Sequence, residues 1–471
     1  MRSLIEGRFG PPCLVLAALL VLCGVASATR PAPAPSAESA TARRKVPVAS
    51  VTAVCPAPGG TTVGAVTPPG GGPGVATLTG GGKTLATLTT SGTLLRKKVP
   101  AGAGPLLVSA SGGMAAGLEV AQTRRETSGG QRGLAGVRCV EPAASTWLIG
   151  PGPAAADVTL HLANPDLARA VVEIMIYAGE GPVTGDGDVI VLEPGESRVI
   201  DLRERAPSPL VMAVEVRTAF GRVTAAARAV MRGGRGVDWL PVSAAPSTRV
   251  VVPGVPGGEG GRELLVASDA EADTLVEVRA ITSDGAYVLK GRELVEVPAG
   301  SVATLDVSGG TSGRPSAFVL TADRPIVAGL VVTGTGKKKD VAFTAGAAPI
   351  DLGSVVADNR TGGKKSSRLL LTAPQAAGRV SVLVLPGEGK TPAPFEVEIA
   401  AARTKQFSLP KVDGAFAVVV LPLPGSGPVY GGRVMDERIK GGLALTAQPL
   451  APARIWALVP PVVESFSAVL P

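Results

Sequence analysis

The chain of 471 residues carries 62 glycines and 42 prolines, is only 3% aromatic and has a formal charge of +8. That length accommodates three or four ordinary domains. Gly and Pro throughout, abundant Val and Thr, and no sustained helical period exclude a helical bundle and read as all-β with many short strands. The cores must then consist mainly of Val, Leu, Ala and Ile, and the mildly basic surface favours contact with polyanions.

At the N-terminus, Arg2 and Arg8 precede an apolar run over residues 13–25, followed by Ala26-Ser27-Ala28. These are the three parts of a secretory signal. The run is short for a membrane span of ~20 residues, so residues 1–28 are expected to act as a signal peptide or, if retained, as an anchor attached to the membrane through residues 13–28. Leu22 is bulky where a lipoprotein signal would carry a small residue before Cys23. Without residues 1–28 two cysteines remain, Cys55 and Cys139, and in an oxidising compartment such a pair is most simply a disulfide. A zinc site needs about four ligands and no histidine lies near either, so neither metal nor cofactor is expected. Residues 29–46, rich in Ala, Pro and Ser and containing Arg43-Arg44-Lys45, read as a flexible linker.

A repeated pattern follows. Over residues 157–179, Val158, Leu160 and Leu162 alternate, Asn164-Pro165-Asp166 supplies turn chemistry, and Val171, Val172, Ile174 and Ile176 form a second apolar segment. This reads as a β-hairpin. It returns at 263–285 and, more worn, at 368–387. Residues 145–152 align with 247–254, and 51–59 is a third copy of that opening; 193–197 and 297–301 are matching turns; 317–327 matches 415–429 and 105–114. The units end on Val137-Arg138-Cys139, Val237-Asp238-Trp239, Val341-Ala342-Phe343 and Arg454-Ile455-Trp456. A period of about a hundred residues implies tandem domains, here 47–144, Gly-rich and closed by the disulfide, then 145–246, 247–349 and 350–471. Each is expected to be an antiparallel β-sandwich of immunoglobulin-like size, strung in line rather than closed radially, because a hundred or so residues bury a core alone. Cys139 falls where the other units place an aromatic residue. A bridge closing a loop of about eighty residues would contribute ~3–4 kcal/mol in the chain-entropy model.

The export signal, VTAVCPAP, LHLANPD, RGGRGVDWLP and RVVVPG together resemble an actinobacterial family of secreted or envelope-attached proteins catalogued only as a domain of unknown function. The resemblance extends from about residue 48 onward and rests on the order of soft strand and turn motifs. It implies an exported β-rich protein of the actinobacterial cell envelope, in a setting near envelope glycosyltransferases. It carries over no catalytic or ligand residue.

Each candidate site has a structural competitor. His161, the sole histidine, lies on a strand opposite Leu160 and Leu162 and is expected to be exposed; no G-x-S-x-G elbow accompanies it. Gly80-Gly81-Gly82-Lys83-Thr84 lacks the first glycine of a phosphate-binding loop, Thr77 standing there, and runs into a strand, so it reads as a hairpin turn. Asp186-Gly187-Asp188 offers two carboxylates where calcium wants six or more oxygens. Three basic clusters remain as candidate polyanion-binding residues: Arg96, Lys97 and Lys98; Lys337, Lys338 and Lys339; Lys364 and Lys365. Nucleic acid is disfavoured because no aromatics interleave with them. Trp239 and Trp456 read as core, leaving Trp147 as the tryptophan to watch for sugar stacking. The expectation is a non-enzymatic exported scaffold or binding protein whose partner is an acidic envelope polymer or another envelope protein. The alternatives are an accessory factor in envelope polysaccharide assembly or export, and a hydrolase with a carboxylate pair drawn from distant strands.

Overall fold

Alternating apolar segments become strands almost wherever Gly or Pro bounds them, in a computed structural model that describes residues 10–28, 44–127, 129–183 and 189–459. The strand Ala156–Ala163 shows the rule: Val158, Leu160 and Leu162 are at most 1% exposed. The hairpin reading of 157–179 is corrected. Ala156–Ala163 pairs with Ser197–Asp201 and Thr224–Met231, whereas Ala170–Ala178 pairs with Val211–Phe220 in the facing sheet. Asn164 holds this crossing, its Nδ2 donating to the Ala168 and Leu192 carbonyls and its Oδ1 accepting from the Asp166 N–H. Alternation marks which face of a strand is buried but not which sheet owns it.

The strands fall into four groups with one topology. Numbered by position, with Gly181–Val183 and Ile190–Leu192 sharing the fourth position of repeat 2 and Gly285–Val288 and Leu294–Val297 that of repeat 3, strands 1, 6, 3 and 4 form one antiparallel sheet and strands 5, 2, 7 and 8 the other; the short Val242–Ser243 adds to the first sheet of repeat 2. Repeat 1 runs from Ser50–Cys55 to Gly133–Arg138, repeat 2 from Ser145–Pro151 to Val237–Leu240, repeat 3 from Ser247–Val255 to Val341–Ala345, and repeat 4 from Ser354–Arg360 to Gly442–Pro449. In repeat 3 the sixth and seventh strands fuse into Ser316–Thr333, which serves both sheets. Only strands 3–4 and 7–8 are simple hairpins. Strands 1 and 2 lie in different sheets, unlike the immunoglobulin arrangement.

The sandwiches close into a ring within one compact unit, Pro47–Trp456. Apolar contacts cross every joint. Ala135 and Val137 meet Trp239 between repeats 1 and 2, Phe343 joins the core of repeat 2, Leu445 and Ala447 join that of repeat 3, and Val66 and Ala121 pack with Val355 and Val419 between repeats 1 and 4. The eighth strands meet at the centre and are buried on both faces: all five residues of Val341–Ala345 are buried. A string of separate sandwiches is thus overturned, because these continuously apolar strands need cover on both sides.

Two carboxylates bind the centre. Asp340, 1% exposed, accepts at Oδ1 from the Val341 and Val237 N–H groups at 2.9 and 3.3 Å. Its Oδ2 accepts from Leu134 and Leu445 at 3.0 and 2.9 Å. The four donors belong to the eighth strands of all four repeats. Asp238 Oδ1 accepts from the Gly136 and Trp239 N–H groups and the Thr446 hydroxyl. Burial pushes Asp340 up to about 7 against the pull of its four donors, and raises Asp238 well above the usual range. Gly133 and Gly236 must be glycine: a Cβ at either would lie within 2.3 Å of Asp340 Oδ1.

The register of these donors corrects two alignments. Gly136, not Cys139, is the repeat 1 counterpart of Trp239, both giving their N–H to Asp238. Repeat 4 ends on Gly442–Pro449, not on residues 454–456; Trp456 is 38% exposed and starts the strand Trp456–Val459, which pairs with Arg44–Pro47. Residues 450–455 return across repeat 1, where the Val48 N–H donates to Ile455 O and the Gly117 N–H to Arg454 O. The other unit contributes, among the described residues, this ribbon and the helix Gly10–Ala28, which covers the apolar run. No helix of the described residues is long and apolar enough to cross a membrane. Cys55 and Cys139 are bonded, 84 residues apart, and Cys55 is fully buried in the repeat 1 core.

Two stability outcomes are expected. Asp340→Asn keeps the shape but turns an amide toward two N–H donors, and should lower unfolding free energy by about 3 kcal/mol in denaturant titrations. Cys55→Ser/Cys139→Ser should cost ~3 kcal/mol, read the same way.

Candidate polyanion-binding cleft

The clearest charged feature is a cleft of about 700 Å³ between repeats 1 and 4. Repeat 1 supplies Arg96 from its fifth strand and Arg124 and Arg125 from its seventh; repeat 4 supplies Arg360, Lys364 and Lys365 from the end of its first strand and the start of its second. Strand alternation points Arg96 outward, and its Cδ lies 3.5 Å from where a Cβ on Gly387 would stand, so it leans on repeat 4. Lys364 and Lys365 follow Gly362 and Gly363, whose φ values of +93° and +61° make the tight turn that presents them.

Three of the six cations have carboxylate partners: Arg124 with Glu126 at 3.1 Å, Arg125 with Glu437 at 2.7 Å and Arg360 with Asp358 at 3.0 Å. Arg96, Lys364 and Lys365 have no acid within salt-bridge distance among the described residues. The cleft therefore keeps a surplus of three positive charges. Thr61, Thr62, Thr123 and Thr361 also line it, placing hydroxyl-bearing residues beside the cations.

Two of the sequence clusters thus meet here, though Lys97 and Lys98 lie outside the lining. The third is one hairpin away: the Lys338 N–H donates to Gly441 O, and the Arg438 N–H donates to Lys364 O, at opposite ends of the tip joining Tyr430–Ile439 to Gly442–Pro449. Sequence reading missed Arg124, Arg125 and Arg360. The adjacent pair Arg124-Arg125 was legible as a basic step; Arg360 was not separable from an ordinary strand end.

The other candidates are placed as follows. His161 does face away from Leu160 and Leu162, but it is not exposed. Its ring packs on Trp239 at 5.1 Å, and it lines a crevice of about 30 Å³ with Val54, Pro56 and Pro105 of repeat 1. The neighbouring repeat covers the face that alternation assigned to solvent. Residues Gly74–Gly80 and Lys83–Leu88 form the expected hairpin, with Gly81 and Gly82 at positive φ. Asp186-Gly187-Asp188 lies outside the described residues. Trp147 is core, 4% exposed and stacked on Tyr177 at 5.4 Å. No cluster of three or more metal-ligating side chains occurs among the described residues.

Fold and cleft together define a closed ring of four β-sandwiches with a basic groove at one joint. The chain belongs to the family of unknown function DUF5719, whose model matches residues 95–410. The match runs from the fifth strand of repeat 1 into repeat 4, and it bears out the likeness to a domain of unknown function. No curated protein matches the chain.

Burial, with Arg228 beside it, holds His161 down to about 4 from 6.5. The folded protein then resists a proton that the unfolded chain accepts, so this contribution is complete above 6.5 and lost as pH falls toward 4. Thermal melts should show wild type losing more stability than His161→Gln over that interval.

Proposed function

We propose that this protein is a non-enzymatic scaffold of the cell envelope that holds an acidic polymer in the cleft between repeats 1 and 4. The observation that carries this reading is the unpaired surplus of Arg96, Lys364 and Lys365 in a groove of about 700 Å³. A concave basic surface focuses field and concentrates polyanions, with affinity that falls as salt rises. The disulfide is compatible with an oxidising, extracytoplasmic compartment. The basic and apolar N-terminal segment and the likeness to actinobacterial envelope proteins support export and an envelope setting.

A structural role for the buried acids supports the non-enzymatic reading. Asp238 and Asp340 are at most 1% exposed and three of their four oxygens accept from backbone N–H groups, which occupies them in joining strands.

The test is binding of a poly(glycerol phosphate) of defined length to the purified full chain over a salt series, with neutral dextran as control. Retention should fade with salt, and Arg96→Glu/Lys364→Glu/Lys365→Glu should weaken it at least about tenfold, while Lys290→Glu, exposed and outside the cleft, leaves it unchanged. Retention indifferent to salt and to the triple reversal would reject the cleft.

A further inference from the structure

A second cavity, of about 400 Å³, opens where the repeat 1–2 linker meets the returning C-terminal segment. Its chemistry is opposite to that of the cleft. Val137, Val140, Trp239, Val242, Pro449 and Pro452 are among its walls. Well-packed interiors leave few voids larger than a water molecule, whereas this one lies within the range of small-molecule pockets. Its exposed wall is mostly apolar, so an apolar chain gains by leaving water for it.

Two features define the head group. Both arginines of the lining have carboxylate partners: Arg138 is bonded to Glu119, and Arg454 to Glu141 at 2.7 Å. A ligand carboxylate would have to compete with these two acids for arginines that already have partners. Trp239, 5% exposed, packs one face on His161, and its indole N–H has no acceptor among the described residues. The indole nitrogen is not sealed from solvent, so it is open to an acceptor that enters from outside.

We propose that this cavity binds an uncharged amphiphile, an apolar chain ending in a neutral oxygen that accepts a hydrogen bond from the Trp239 indole. The walls take the chain by burial of apolar surface, and the N–H orients the head. This site is independent of the polyanion cleft, which lies between repeats 1 and 4 and shares no lining residue with it.

The experiment uses the full chain with the neutral fluorophore N-phenyl-1-naphthylamine, displaced by 1-dodecanol or by dodecanoate. Saturable binding is expected, with dodecanol displacing at least about tenfold better than the carboxylate, since desolvating an unpaired charge is costly. Trp239→Phe should weaken dodecanol about fivefold, the worth of one hydrogen bond. Ala143→Phe and Val242→Trp, which fill the cavity from two sides, should each abolish binding; their melting curves verify that they fold. Arg96→Glu/Lys364→Glu/Lys365→Glu should bind the fluorophore as wild type does, separating this result from the fate of the cleft. Absence of saturable binding, equal displacement by the two chains, indifference to Trp239→Phe, or binding that survives both filling variants would overturn the proposal.

Discussion

One carboxylate holds the four repeats together. Asp340 accepts N–H groups from the eighth strand of every sandwich, including its own. These donors lie on strands whose neighbours belong to other repeats, so without that carboxylate the centre would hold buried, unsatisfied backbone groups. The low exposure of the site keeps water from competing for these bonds. Asp238 ties three of these strands at a second level, using the Gly136 and Trp239 N–H groups and the Thr446 hydroxyl. The glycines at 133 and 236 are the steric counterpart of that chemistry.

Closure creates the surfaces that have chemical character. The basic groove exists only because repeat 4 returns to repeat 1, bringing Lys364 and Lys365 opposite Arg96. The apolar cavity exists only because the segment after Gly442–Pro449 crosses back over the linker that leaves repeat 1. Neither belongs to any single sandwich. Binding sites at domain joints are the common case, and here each joint has its own composition although the repeats share one topology.

Local features were legible in the sequence. Alternation located the strands, glycine pairs located turns such as Gly81-Gly82, self-similarity gave the period, and compartment logic paired Cys55 with Cys139. Long-range pairing was not legible. Val158, Leu160 and Leu162 announce a buried face but not that the next strand joins the opposite sheet, which made Asn164-Pro165-Asp166 look like a hairpin turn. His161 was assigned to solvent because alternation knows only one core, whereas a neighbouring repeat covers it. The clearest missed signal lies in the eighth strands themselves. Runs such as Val341 to Ala345 are apolar without alternation, the pattern of strands covered on both faces, and an acid beside each of two such runs was the trace of the centre.

The bonding capacity of Asp340 also bears on how this architecture can change over evolutionary time. A carboxylate offers about four lone-pair directions, and the ring presents four strands to it. Stacked-repeat proteins lengthen or shorten by whole units because each unit touches only its neighbours. Here Asp340 takes one backbone donor from each repeat, so the loss of a repeat would leave the carboxylate partly unbonded in a dry interior. Gain or loss of a whole repeat would therefore disturb this side chain, whereas changes in the joints and loops around it leave its four bonds intact.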